Sequence, residues 1–417
     1  MNCAKLKADI ERLREARNTF DAAVTSANDI GSGKIKCNDA MKRASELENE
    51  ILQTYMEDVR EHNPELFPRF HYGEKIDGFH GIIRSTLKLS DNEVLVCGGD
   101  GETRILHKGE DGSWSYDGEK IDGFNGRKIY STLKLSDSEV LVCGEGFPGY
   151  GLTRILRKSE DGLWNYDSNS IDGFDDPVRS TLKLSDNEVL VCGGGGTSGE
   201  AHILHKGEDG SWNCDSNSIN DFESSVVEST LKLSDDEVLV CGNLRETHIL
   251  RKSEDGLWNY DSNSIDGFRG SVVNSTLKLS DDEVLVCGSH GEARILRKYR
   301  DGLWAYNSID IDGFRGTIFS TLKLSDSEVL VCGGNDTEEG KTRILRKGEY
   351  GRWNYDSSSI DGFYGNAHTT LKLSDSEILV CGGYKRSETR ILHIDGDIDL
   401  DKLKQKLPDI AAKKDEA

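Results

Sequence analysis

The chain has 417 residues, with 52 Lys and Arg against 75 Asp and Glu, a formal charge of −23. That excess of acid speaks against nonspecific nucleic-acid binding, which depends on neutralising phosphates, and against a basic face for anionic membranes. No apolar run approaches the ~18 residues of a bilayer helix, and residues 1–20 are charged throughout without a signal-peptide core.

Residues 1–64 predict a helical hairpin or short coiled coil. Leu6, Ile10, Leu13 and Phe20 stand near heptad spacing, and Gly31 and Gly33 break the pattern. Asn38 or Asp39 then caps a second helix carrying Met41, Ala44, Leu47, Ile51, Tyr55 and Val59, which Pro64 stops. Such a hairpin packs on itself, docks on the rest of the chain or oligomerises. An isolated strand follows over about 69–73, around Phe70-His71-Tyr72, and leads into Ile76-Asp77-Gly78-Phe79.

A repeat then dominates the sequence. Leu-Lys-Leu-Ser-Asp begins at Leu87, Leu133, Leu182, Leu231, Leu277, Leu322 and Leu371, in steps of 46, 49, 49, 46, 45 and 49 residues. Each copy continues through Glu-(Val/Ile)-Leu-Val-Cys-Gly and (Arg/His)-Ile-Leu, and six of the seven go on to a Trp. Four short strands are predicted per unit. In the first copy Ser85–Leu89 alternates polar and apolar, and Ser90–Glu93 is a turn because Ser, Asp and Asn bond locally to backbone. Val94–Cys97 reads as a strand buried on both faces, Thr103–His107 as a third strand, Glu110-Asp111-Gly112 as a tight turn, and Trp114–Tyr116 as the fourth strand. Four antiparallel strands per 45–49 residues is the period of a propeller blade. The seventh unit stops after Ile391-Leu392-His393 without a fourth strand. The isolated strand near residue 70 supplies one if the ring closes between its two termini, which leaves no free sheet edge. The prediction is a mainly β chain, with a closed seven-bladed propeller over 68–394. Residues 395–417 add a short helix with Leu400, Leu403 and Leu407, interrupted by Pro408, and a charged tail.

On these motifs residues 68–394 resemble the WD40 and kelch propellers. Val94-Leu95-Val96-Cys97-Gly98-Gly99 with Trp114 opening the next hairpin strand is similar to kelch, and Leu89-Ser90-Asp91 before Val94-Leu95-Val96 is similar to WD40. The resemblance implies partners held on the rim.

Length variation points to the same rim. From Cys97 to Arg104 is 7 residues, and the later copies give 11, 10, 7, 7, 11 and 9, so the second-to-third-strand loop carries the variation. Sequence identity varies most after Gly-Phe, before each first strand. Alternate loops of an antiparallel blade lie at opposite ends, so both variable loops share one rim. Phe147, Tyr150, Arg127, Arg245, Arg315, Tyr364, Tyr384, Lys385 and Arg386 are its candidate partner-binding residues, aromatic and cationic types that anchor interfaces.

No chemical motif competes. Cys97, Cys143, Cys192, Cys241, Cys287, Cys332 and Cys381 occupy one position in successive units, too far apart for disulfides, and read as buried hydrophobes in a reducing, cytoplasmic setting. No Cys-x-x-Cys pair suggests zinc. Gly144, Gly146 and Gly149 spell a dinucleotide fingerprint but lead into a strand, Thr153–Leu156, where a helix is needed. Asp395, Asp397, Asp399 and Asp401 resemble the start of a calcium loop, yet Leu400 and Lys406 stand where Gly and Glu belong. The expectation is a non-enzymatic scaffold with no cofactor, metal or catalytic residue, binding a protein or peptide. The alternative is a lectin-like propeller with repeated pockets, in which the fourth-strand Trp and Tyr stack on sugars.

Overall fold

The computed structural model describes residues 70–394 apart from 117, 196–197, 216–218, 220–225, 244–245, 261–263, 269–271, 308, 336–339, 349 and 357–358. The expected hairpin over 1–64, the helix and tail over 395–417, Cys3, Cys37 and Arg245 lie outside the described residues.

The described residues form 28 strands, numbered β1 to β28 in chain order, in seven four-stranded antiparallel sheets. Blade 1 is β2 (Ile83–Lys88), β3 (Glu93–Gly98), β4 (Thr103–Lys108) and β5 (Trp114–Tyr116). Blade 2 is β6 (Lys128–Lys134), β7 (Glu139–Glu145), β8 (Gly151–Lys158) and β9 (Trp164–Ile171). Blades 3 to 6 repeat this order over 178–355 as β10 to β25. Blade 7 takes β26 (Asn366–Lys372), β27 (Glu377–Gly383) and β28 (Ser387–Ile394), and its outer strand is β1 (Phe70–Lys75). First strands of successive blades touch around the ring, and β26 touches β2.

The core lies between blades. Leu95 and Cys97 of β3 pack with Ile129, Val140, Val142 and Trp164 of blade 2, whereas Val94 and Val96 face Leu379 and Cys381 of blade 7. The Val-Leu-Val-Cys run is apolar without alternation because both faces of each second strand are covered. Gly98 follows because a Cβ there would stand 2.2 Å from the Ile82 carbonyl oxygen, and at Gly144 1.9 Å from that of Lys128. In Ile-Asp-Gly-Phe the glycine at 123 has φ +129 and lies where a Cβ would be 3.0 Å from Tyr166 of the next blade, which lets Phe124 bury between blades.

Polar bonds join the blades in the same repeat. Ser85 of one first strand bonds Thr132 of the next at 2.8 Å, and the pairing recurs at Ser131–Thr181, Ser180–Thr230, Ser229–Thr276, Ser275–Thr321 and Ser320–Thr370. Thr369 to Thr86, at 2.9 Å, completes the seven. Near the other rim the lysine that ends the third strand of blades 1 to 6 reaches a glutamate of the preceding blade, as in Lys108–Glu377 at 2.7 Å and Lys158–Glu93 at 3.0 Å. The same lysines lie 5.6 Å over Trp114 and Trp164, whose rings are 8% exposed. So buried, these rings offer no open face for stacking a sugar.

Candidate functional site

Each first strand carries a β-bulge, with the register shifting between Ile83 and Ser85 and at the equivalent places in all seven blades. A bulge leaves one residue out of the ladder and re-aims its side chain. The seven bulge residues are Arg84, Tyr130, Arg179, Glu228, Asn274, Phe319 and His368, all different apart from the two arginines. They interact from blade to blade where the first strands converge. Arg84 and Arg179 lie over the Tyr130 ring at 5.4 and 5.0 Å, Arg179 pairs with Glu228 at 3.2 Å, and the Phe319 and His368 rings stand 4.5 Å apart. Burial pushes the Glu228 carboxyl up, against the opposing pull of Arg179 and Arg84.

At the rim, two neighbouring hollows share Lys385. One, of about 470 Å³, is lined by His80, Arg84, Asp100, Arg127, Lys128, Phe147 and Lys385 among others. The second, of about 320 Å³, is lined by Lys75, Tyr364, Tyr384, Lys385, Arg386 and Glu388 among others. Together they form a groove across blades 7, 1 and 2, where the ring closes. The loops that build it are those after second strands and those before first strands, so it belongs to the variable rim.

Of the residues chosen from the sequence, Arg127, Phe147, Tyr364, Tyr384, Lys385 and Arg386 line this groove. Tyr150 is 57% exposed on the same turn as Phe147 but lines neither hollow. Arg315 is exposed before the first strand of blade 6, also outside both. Sequence reasoning placed His368 on the variable rim but missed Arg84 and the other residues of the bulge ring. The signal was present, since the residue before each (Ser/Thr)-Thr-Leu-Lys is the one first-strand position that diverges in nearly every copy.

The recurring cysteines are buried, unpaired hydrophobes. Burial pushes their thiols up, to about 12 at Cys97, Cys143, Cys241 and Cys332. Gly144, Gly146 and Gly149 lie in a β7–β8 hairpin that leads into a strand. Among the described residues no cluster of three or more His, Cys, Asp or Glu could hold a metal ion. No helix of the described residues is long and apolar enough to cross a membrane.

Blade 3 departs from the pattern. In blades 1, 2, 5 and 7 the half-buried fourth-strand tyrosine bonds a threonine of the preceding blade, as Tyr166 does Thr103 at 2.8 Å. Blade 3 has Cys214 at that position, and the Thr153 hydroxyl it faces has no hydrogen-bond partner. His202, where blades 1 and 2 have Arg104 and Arg154, stands with Nε2 3.3 Å from Glu200 and edge-on to Phe174 at 5.3 Å. Contact with Cys214, and then with Glu200, raises its pKa to about 9.

These features define a seven-bladed β-propeller. No family model matches the sequence, and no curated protein matches it. Among solved structures, the crystal structure of the WD40 β-propeller domain of Doa1 is similar, with a TM-score of 0.57 over 78% of this chain and 96% of that one, at 14% identity. Likeness at that identity is likeness of fold.

Proposed function

We propose that this chain is a non-enzymatic, cytoplasmic interaction scaffold that binds a protein or peptide partner through the variable rim. The observation that carries this is the groove at the closing seam. It gathers Phe147, Tyr364, Tyr384 and several cations from loops that vary between copies, on a framework that does not. Exposed rings beside flexible cations are surface that a partner desolvates with gain, and the aromatics are 38–71% exposed. The unpaired buried thiols support a reducing compartment.

The test is quantitative affinity purification from cytosol with the wild-type chain and with Tyr364→Ala/Tyr384→Ala/Arg386→Ala. The three side chains are exposed, so the variant keeps its melting temperature. The expected outcome is loss of the specifically retained partner. Retention of the same partners by a folded variant sinks the assignment of the site.

A further inference from the structure

We propose that the groove's occupant is an acidic peptide segment with one carboxylate seated on Arg84 at the inner end, a proposal that rests on the rim binding a polypeptide. The chain carries −23, yet the two hollows are lined by six Lys and Arg against Asp100 and Glu388 alone. Much of the ordinary compensation is internal. Glu388 is held by Arg390 at 2.6 Å, Arg127 and Lys128 share Glu145 at 3.0 and 3.4 Å, and Lys75 pairs with Asp77 at 2.8 Å. That leaves Arg84, Lys385 and Arg386, which make no ion pair among the described residues.

Arg84 is the anchor for a structural reason. Its guanidinium lies over the Tyr130 ring, and Tyr130 is fixed from its other side by Arg179, itself engaged with Glu228. The Arg84 Nε is buried without a hydrogen-bond partner. A stacked planar guanidinium with an unused N–H edge is set for a carboxylate, which accepts two parallel bonds from that fork. Lys385 and Arg386 then meet acidic side chains farther along the segment. The many acids elsewhere do not cancel this patch, because at physiological salt the Debye length is about 8 Å. They do disfavour a long polyanion such as nucleic acid, whose charge extends beyond the patch.

The experiment measures fluorescence anisotropy of labelled octaglutamate with the full-length chain, beside a neutral Gly-Ser octapeptide and an eight-nucleotide oligothymidylate. Octaglutamate is expected to bind best and to weaken steeply with salt. Arg84→Gln/Lys385→Gln should reduce its affinity about tenfold or more, while Arg352→Gln, an exposed cation outside the groove, leaves it unchanged. The proposal is overturned if octaglutamate binds no better than the neutral peptide, if the oligonucleotide binds as well, or if Arg352→Gln weakens binding as much. Capture of a neutral partner segment that is lost in Tyr364→Ala/Tyr384→Ala overturns the acidic occupant and leaves the rim as a binding surface.

Discussion

The two rims of this propeller handle charge in opposite ways. On the constant rim each Leu-Lys-Leu-Ser-Asp turn pairs its own lysine and aspartate, as in Lys88–Asp91 at 2.9 Å and Lys134–Asp137 at 2.8 Å. The lysine holds each such carboxyl below its ordinary range. Across the blade boundary the Lys–Glu clamps add a second layer of pairing. On the variable rim Arg84, Lys385 and Arg386 at the closing seam make no ion pair among the described residues. Repetition favours pairing, because every copy brings its partner with it. Uncompensated charge arises where copies have diverged, and there it is free to act on another molecule.

Substitutions in the framework and on the rim should therefore differ in kind. Leu141→Ala empties a fully buried position in the second strand of blade 2. It should cost about 2–5 kcal/mol in urea unfolding, whereas Tyr384→Ala stays within about 0.5 kcal/mol. Equal costs would break the division between framework and binding surface.

Blade 3 gives a pH-dependent version of the same contrast. The His202 pKa, about 9, lies above the 6.5 of an unperturbed histidine. Its contribution is present in full below about pH 6.5 and is lost as pH rises through 9. Unfolding free energy should thus fall by on the order of 1–3 kcal/mol between pH 6.5 and 9.5, and the slope should flatten in His202→Gln. An unchanged slope in the variant would remove His202 as its source. Smallest is the hydroxyl ring. Ser131→Ala strands the Thr181 hydroxyl and should cost about 1 kcal/mol, with the propeller still closed. A loss as large as that of Leu141→Ala would make the ring, and not the apolar seams, the principal bond between blades.

Several particulars show how far the sequence carries. The unbroken Val-Leu-Val-Cys run told that second strands are covered on both faces, and they are. The boundaries were read a residue or two short, as at Val94–Cys97 against Glu93–Gly98, because terminal residues of a strand pair through backbone whatever their side chains. Arg84 and most other bulge residues escaped notice because a bulge is a backbone register shift, and the side chain it re-aims need have no special type. Cys214 is one of three cysteines outside the recurring position, and the sequence alone gives it no role. The unpartnered Thr153 hydroxyl is visible only once blade 3 is set beside its neighbour.

Sequence by itself determined the blade, its number and its period, because those follow from local patterns copied seven times along the chain. It also singled out a rim, since the place where copies diverge is a property of the chain. Only the tertiary structure decided which divergent residues act together. Ring closure sets β26 and β27 beside β2, and so brings Lys385 into the same hollow as Arg84 and Arg127 across some 260 to 300 residues of chain. Closure is a long-range event with no local signature, and the groove exists only because of it.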